Sequence, residues 1–438
     1  TGRAMSSQQS LQMRIRPVAR ALGQPTSWIL LGLGFSSALP FLLVGSTLGF
    51  WLRTANISLT AIGFMSWTGL FYGAKILWAP WMDKVRLPGL YPWLGQRRSY
   101  MLLSQLAITG GLLAMAWIGP SQLLTLCLAA AFATFAAASQ EIAVDAWRVE
   151  QTNSEADQAL NPSFYSFGYK TGIIVTNSLI LIMSKHIGWP GAYECMAALM
   201  AVGVVTTLFA HRTEIETHPH TEKRDLKTLL IDPFVSFYQE HKGTATLILI
   251  TLALYRLPDY LLAPVSSMYV DTGLDMDAIG AMRGTVGLVA AYAGVAIGGS
   301  LLLFLGLRQA FFLGALVGPI SNLTFSWLSL AAGNIGVFAF ALVSDDLGDG
   351  IADTALVAFM TRMTGRNHTL THYALMFSIS ALSGKLLKGF SGAAIDALKP
   401  SLGLFPAYAV FFGLTAAMAV PTLILCWRLH QKGVFSGR

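Results

Sequence analysis

The chain has 438 residues, of which 54% are hydrophobic and only 12% are charged, and its mean hydropathy is +0.57. Soluble domains carry about twice this charged fraction, so the composition excludes a soluble globular protein and indicates one that crosses a membrane many times. The net charge of +7 follows from basic loops, described below, and needs no nucleic-acid partner.

Twelve apolar windows are long enough to cross a bilayer as helices, which takes about 20 residues each. They are numbered here as spans one to twelve, and they lie near residues 26–53, 59–83, 99–119, 121–147, 162–185, 190–210, 244–268, 277–304, 308–329, 333–360, 371–397 and 403–427. The predicted fold class is therefore an all-α integral membrane protein. The first residues, TGRAMSSQ, resemble a cloning scar ahead of Met5.

One long polar interruption separates the first six spans from the last six. The predicted domains are a cytoplasmic arm over 1–25, a six-helix bundle over 26–210, a cytoplasmic middle loop over 211–243, a second bundle over 244–427 and a tail over 428–438. Most of the 29 basic residues lie in the arm, the middle loop, the tail and other loops on that side. Since basic loops stay in the cytoplasm, both termini are predicted to be cytoplasmic.

The two sets of six spans repeat each other in sequence. ALPFLLVGSTLGFWLRTANISLTAIGFM (38–65) aligns with RLPDYLLAPVSSMYVDTGLDMDAIGAM (256–282), sharing Leu-Pro, Leu and Ala-Ile-Gly. Glu141 and Asp145 of the fourth span have counterparts in the tenth span, Asp349 and Asp353. Each counterpart lies 208 positions further along the chain. Two parallel six-helix repeats around a central site resemble the architecture of the major facilitator superfamily.

Short motifs make the resemblance narrower. SQEIAVDAWRVE (139–150) is similar to the fourth-helix Ser-Gln-Asp-Ile-x-x-Asp-Ala motif of the AmpG-type muropeptide permeases, a family grouped with the acetyl-coenzyme A transporters. LWAPWMD (77–83) and GQRRSYMLLSQ (95–105) resemble that family's second-loop block. YRLPD (255–259) and ADTALVAFM (352–360) resemble parts of its seventh and tenth helices. Asp349 and Asp353 depart from the small residues expected at their positions.

The resemblance implies a function. A member of this family would import N-acetylglucosaminyl-anhydromuramyl peptides with protons across the bacterial inner membrane, for cell-wall recycling. The implied partners are a small glycopeptide or another anionic substrate, protons and the lipid bilayer, with no metal or cofactor, and the implied working form is a monomer.

Glu141 and Asp145 are the candidate proton-coupling residues. They lie four positions apart, so they share one helix face, in the cytoplasmic half of the bilayer and at a depth similar to Lys75 and Lys170. A carboxylate facing lipid is costly, so both acids are expected to face a polar cavity and these lysines. Two interpretations stay open: one acid carries a proton as helix movement changes its distance to a lysine, or the pairs only close the cytoplasmic side.

The second half has its own candidate charges. Arg256 and Asp259 lie three apart on the seventh span, beside Pro258. Arg256 either holds a substrate carboxylate or phosphate, or neutralises Asp259 one helical turn away. Acids of the tenth span, Asp349 and Asp353, are expected to pair with Lys385 and Lys388 of the eleventh.

Four residues form a predicted cytoplasmic gate. Asp83 at the inner end of the second span, with Arg97 and Arg98 opening the third, resembles the superfamily's second-loop motif, and Arg148 ends the fourth span. Ion pairs there would stabilise one conformation and break in the other.

The sequence contains no Gly-x-Ser-x-Gly elbow, His-Glu-x-x-His or Walker A loop, which argues against an enzyme or an ATP-driven pump. Secondary transport by alternating access remains. The alternatives are the same fold carrying acetyl-coenzyme A or a siderophore, and a membrane receptor that transports nothing.

Overall fold

The structure is a computed structural model that describes residues 24–151, 155–212, 235–331, 333–364 and 369–435. Its described residues form helices and connecting turns, without a β-strand. In the first half the helices are Pro25–Leu43, Ser46–Thr54, Leu59–Met65, Leu70–Ala74, Ala79–Lys84, Tyr91–Ile118, Leu123–Glu150, Glu155–Ile174, Ile180–Leu199 and Ala201–Phe209. In the second half they are Ala245–Tyr255, Leu257–Tyr260, Val265–Asp271, Met276–Met282, Leu288–Leu330, Ile335–Met363, Thr369–Lys388, Ser391–Leu402, Leu404–Ala417 and Ala419–Gln431.

These helices occupy the twelve predicted spans. Within the described residues, seven stretches are long and apolar enough to cross a membrane, and two of them, Ser163–Phe209 and Met276–Leu330, are 47 and 55 residues long. Each long stretch contains two spans, because Gly188 (φ 76°) and Gly306 (φ 81°) break the helix with a backbone conformation that residues with a Cβ rarely adopt. The tenth span is a single helix, Ile335–Met363, and this helix contains four aspartates. The twelve-span helical fold is confirmed.

Two spans that carry candidate charges are interrupted at those charges. The second span has a 3-10 turn at Lys75–Leu77 between its last two helices. The seventh span breaks at Arg256, which lies between the helices Ala245–Tyr255 and Leu257–Tyr260. Pro258 explains the second interruption, since proline cannot donate the backbone hydrogen bond that a continuous helix needs.

The chain divides into two compact units. Of the described residues, one unit holds those within 1–45 and 74–217, and the other holds those within 46–73 and 218–438. Residues 46–73, from the ends of the first two spans, therefore pack in the second unit, although the sequence repeat assigns them to the first bundle. The predicted domain boundaries stay a prediction.

Each unit has its own core. In the first unit Trp147 is fully buried among Leu30, Met101 and Val144, and its indole nitrogen donates to the carbonyl oxygen of His211 at 2.9 Å. That bond satisfies the one polar atom of a large buried ring.

In the second unit, aromatic rings from three different spans stack. The rings of Tyr255 and Phe311 lie 4.5 Å apart and those of Phe311 and Phe359 lie 4.3 Å apart, measured between centroids. The stack holds the seventh, ninth and tenth spans together immediately beside Arg256.

Candidate functional site

The predicted proton-coupling glutamate forms an ion pair across two spans. Lys75 Nζ lies 2.8 Å from Glu141 Oε2, with the lysine side chain 33% exposed and the glutamate 18%. Close by, the indole nitrogen of Trp78 donates to Ser139 Oγ at 3.1 Å. Both contacts join the interrupted part of the second span to the middle of the fourth. Of the two lysines expected near these acids, Lys75 is the one that contacts Glu141.

Asp145 has a basic partner on its own helix. Its Oδ1 atom lies 3.1 Å from Arg148 Nη2, three residues on, and the Arg148 guanidinium lies over the ring of Tyr165, 4.9 Å from its centroid. Arg148, predicted as a gate residue, therefore contacts a predicted coupling residue. Lys170, on the fifth span, has an exposed side chain.

The predicted gate arginines contact groups that the sequence did not indicate. Arg97 Nε lies 2.8 Å from Glu150 Oε1 at the end of the fourth span. Arg98 donates to the carbonyl oxygens of Thr207 and Leu208 at the end of the sixth span, at 3.0 and 2.6 Å. The side chain of Asp83 lies outside the described residues. The start of the third span is thus tied to the ends of two others.

The second-half cluster centres on Arg256, whose side chain is 16% exposed. Its Nη1 atom lies 2.9 Å from Asp259 Oδ2, 2.8 Å from Asp349 Oδ1 and 3.3 Å from Asp353 Oδ1. One guanidinium therefore faces three carboxylates from two spans. The sequence left two roles open for Arg256, substrate binding and neutralisation of Asp259. In the structure Asp259 contacts Arg256, and so do Asp349 and Asp353.

The acids of the tenth span thus contact the seventh span, where the expected partner was the eleventh. The break at Arg256 explains the difference, because it turns the guanidinium toward the tenth span. Lys385 Nζ lies 5.8 Å from the centroid of the Tyr72 ring, and Lys388, one turn further on, is half-buried.

The sequence reasoning missed a third charge cluster, also in the second unit. Arg53 Nε lies 2.6 Å from Asp271 Oδ1, and both side chains are almost buried, at 12% and 11% exposed. Tyr408 donates its hydroxyl hydrogen to Asp271 Oδ2 at 2.7 Å. Arg53 and Asp271 are 218 residues apart, the same separation as the two Leu-Pro pairs of the repeat. Equivalent positions of the two repeats therefore contact each other, and the alignment could have indicated the pair.

A second link lies near that cluster. Asp396 Oδ2 accepts hydrogen bonds from the backbone N–H and the hydroxyl of Thr60, at 2.8 and 2.7 Å. Gly392 packs against the carbonyl oxygen of Leu59, which leaves no room for a Cβ atom. These contacts fix the start of the second span against the eleventh.

Among the described residues there is no group of three or more His, Cys, Asp or Glu side chains that could hold a metal ion. The three cysteines, Cys127, Cys195 and Cys426, are unbridged.

Residues 29–386 match the family described as the Major Facilitator Superfamily. The chain is 30% identical over 411 residues to the anhydromuropeptide permease of Escherichia coli strain K12, an alignment covering 93% of this chain and 80% of the permease. It is 24% identical over 410 residues to the putative transporter AmpG 4 of Rickettsia felis, covering 91% of this chain and 95% of that protein.

Solved transporter structures share the fold. The nucleoside transporter NupG superimposes with a TM-score of 0.65 at 14% identity, covering 91% of this chain and 98% of that one. The D-xylose-proton symporter gives a TM-score of 0.65 at 10% identity, covering 93% of this chain and 97% of that one. At these identities the likeness concerns the fold alone.

Proposed function

This chain belongs to the major facilitator superfamily, within its AmpG-type permease group, and from that premise we propose that it imports anhydromuropeptides together with protons. As a member it is a multi-pass membrane protein and a secondary transporter, not an enzyme. The proposed site is the bacterial inner membrane with both termini in the cytoplasm, because the basic loops lie on that side. A monomer is the proposed working form.

The proposed cargo is an N-acetylglucosaminyl-anhydromuramyl peptide. Support comes from the 30% identity to the Escherichia coli anhydromuropeptide permease across 93% of this chain, and from the motifs on the second and fourth spans. Acetyl-coenzyme A and siderophores are the competing cargoes.

The ion pair between Lys75 and Glu141 is the observation that carries the coupling proposal. Both side chains are more than half buried, and an ionised carboxylate in such a place is costly without a partner. When the second span moves Lys75 away, Glu141 binds a proton; when Lys75 returns, the proton leaves and the ion pair forms again. Proton binding and ion pairing thus exclude each other, which links the proton to the movement.

Asp145 and the gate arginines are proposed to act on the same movement. Arg148 contacts Asp145, and Arg97 contacts Glu150 one turn beyond Asp145. These pairs hold the cytoplasmic end of the fourth span. We propose that they stabilise one conformation of the first unit, with Asp83 and Arg98 as further members of this gate and Lys170 as a cavity residue.

Uptake into proteoliposomes tests the cargo and the coupling together. Wild-type protein is expected to accumulate labelled anhydromuropeptide when the outside is acidic, and to leave a coenzyme A ester and a siderophore outside. If it accumulates one of those and not the muropeptide, the cargo is wrong.

Two variants isolate the coupling step. Glu141→Gln is expected to lose uphill accumulation and to keep exchange of labelled for unlabelled cargo. Glu194→Gln is the matched control, because Glu194 is exposed and its carboxylate accepts a hydrogen bond from the Trp117 indole at 2.9 Å. Accumulation by Glu141→Gln at the control's level would contradict the coupling role.

A further inference from the structure

The two halves differ in how many bases contact the acids of their fourth helices. In the first half each acid has a base of its own: Glu141 has Lys75 at 2.8 Å and Asp145 has Arg148 at 3.1 Å. In the second half the single charge of Arg256 lies within 3.3 Å of three carboxylates. Among the described residues, Arg256 is the only base that contacts these three acids.

This imbalance lies at positions that the repeat makes equivalent. Asp349 corresponds to Glu141 and Asp353 to Asp145, both at a separation of 208 residues. In the first half Glu141 contacts Lys75, which lies at a helix interruption, and in the second half Asp349 and Asp353 contact Arg256, which lies at another. The second half differs because Asp259 adds a third acid and Asp353 lacks a partner equivalent to Arg148.

The surrounding groups increase the negative charge. Asp345, one turn before Asp349, interacts electrostatically with Asp259, Asp349 and Arg256. Asp346, next to Asp345, interacts electrostatically with Asp349 and with Arg283 of the eighth span. The phenols nearby are Tyr255 and Tyr260 on the seventh span and Tyr373 on the eleventh. Phenols are neutral near pH 7, and the positive charge that Arg283 adds interacts with Asp345 and Asp346.

The three acids are not equally held. Asp259 is 12% exposed and lies 2.9 Å from Arg256, and Asp349 is 44% exposed at 2.8 Å. Asp353 has the longest contact, 3.3 Å, and the greatest exposure, 55%. It is therefore the acid that water reaches most easily and that Arg256 holds least.

We propose that the Arg256 cluster is a second proton-binding site of the transport cycle, with Asp353 as the acid that takes up the proton. Neighbouring carboxylates cannot all stay ionised against a single positive charge inside a membrane protein. A proton bonds to a carboxylate oxygen of Asp353, whose contact with Arg256 is released, while Arg256 keeps Asp259 and Asp349. Release of that proton to water on the other side restores the contact. This inference rests on the proposed proton-coupled function.

The number of protons carried per substrate tests the proposal. In proteoliposomes holding opposed pH and substrate gradients, the ratio at which net flux stops gives this number for wild type, Asp353→Asn and the Glu194→Gln control. Asp353→Asn is expected to carry one proton fewer than wild type and the control. Asp353→Glu, which keeps the carboxyl group, is expected to keep the wild-type number and shows that the position tolerates substitution.

The outcomes separate this inference from the function on which it rests. If wild-type flux does not respond to pH, the proposed proton coupling fails. If wild type is proton-coupled and Asp353→Asn carries the same number of protons, the second site is refuted while the proposed function stands. Replacing sodium by choline at fixed pH is expected to change nothing; a sodium-dependent flux that Asp353→Asn abolishes would make the site a sodium site and overturn the proposal.

Discussion

The ion pair of Arg53 and Asp271 allows a quantitative prediction about the stability of the second unit. The two charges lie 2.6 Å apart, both side chains are nearly buried, and Tyr408 adds a hydrogen bond to the free oxygen of Asp271. Asp271→Asn leaves the Arg53 charge without its partner, and breaking such a pair costs about 3–5 kcal/mol. Arg53→Met leaves the carboxylate unpaired and is expected to cost a similar amount.

Replacing both partners should behave differently. Arg53→Met with Asp271→Leu removes both charges and fills the space with apolar groups, an exchange that is often neutral in free energy or favourable. The double variant is therefore expected to unfold at a higher temperature than either single variant. This non-additivity is the signature of a direct interaction between the two positions.

Thermal unfolding of the purified protein in detergent measures the prediction. Arg308→Gln serves as the control, because Arg308 makes an exposed contact to His430 at 3.4 Å, and exposed substitutions usually change stability by less than about 0.5 kcal/mol. The reasoning is refuted if the single variants have the same melting temperature as the control. It is also refuted if the double variant has a lower melting temperature than both single variants.

Three further variants, one of them with a matched control, test other parts of the fold by the same melting assay. Gly188→Ala forces a residue with a Cβ into φ 76°, which should cost about 1–3 kcal/mol; an unchanged melting temperature would mean that the break between the fifth and sixth spans needs no glycine. Gly392→Val places side-chain atoms against the Leu59 carbonyl and should lower stability by about 1–3 kcal/mol or more. Its control, Gly299→Ala, changes an open position and should be tolerated. Equal melting temperatures of the two variants would contradict the close approach of Gly392 to Leu59. Thr60→Val removes the hydroxyl bond to Asp396 and should cost about 1.5–3 kcal/mol, and stability at the wild-type level would show that the backbone bond alone suffices.

Hydropathy predicted the positions of the spans well because the bilayer imposes one length and one kind of backbone structure. The chain cannot cross except as a helix, so an apolar window of sufficient length leaves little choice. What hydropathy missed are the interruptions at Lys75 and Arg256, since the polar residues there are too few to lower the mean hydropathy of a whole window.

Pairings were harder to predict than positions. The repeat indicates Asp349 and Asp353 as counterparts of Glu141 and Asp145, but it does not say which base each acid contacts. That choice depends on how the seventh span bends at Pro258, which sets the direction of Arg256. The sequence favoured Lys385 and Lys388 of the eleventh span as the partners, whereas the acids contact Arg256.

The Arg53–Asp271 contact, in contrast, is a pairing that the sequence could have predicted. The alignment of the two Leu-Pro segments contains the information, because Arg53 in one copy aligns with Asp271 in the other. A sequence repeat does not by itself say that equivalent positions contact each other.

The 3-10 turn at Lys75–Leu77 allows the second span to change its length and rotation if these residues rewind into an α-helix. A 3-10 helix advances about 2.0 Å and 120° per residue, against about 1.5 Å and 100° in an α-helix. Rewinding three residues would shorten the segment by about 1.5 Å and twist it by about 60°. A twist of that size about the helix axis would change the distance between the Lys75 ammonium group and the Glu141 carboxylate, which are 2.8 Å apart here.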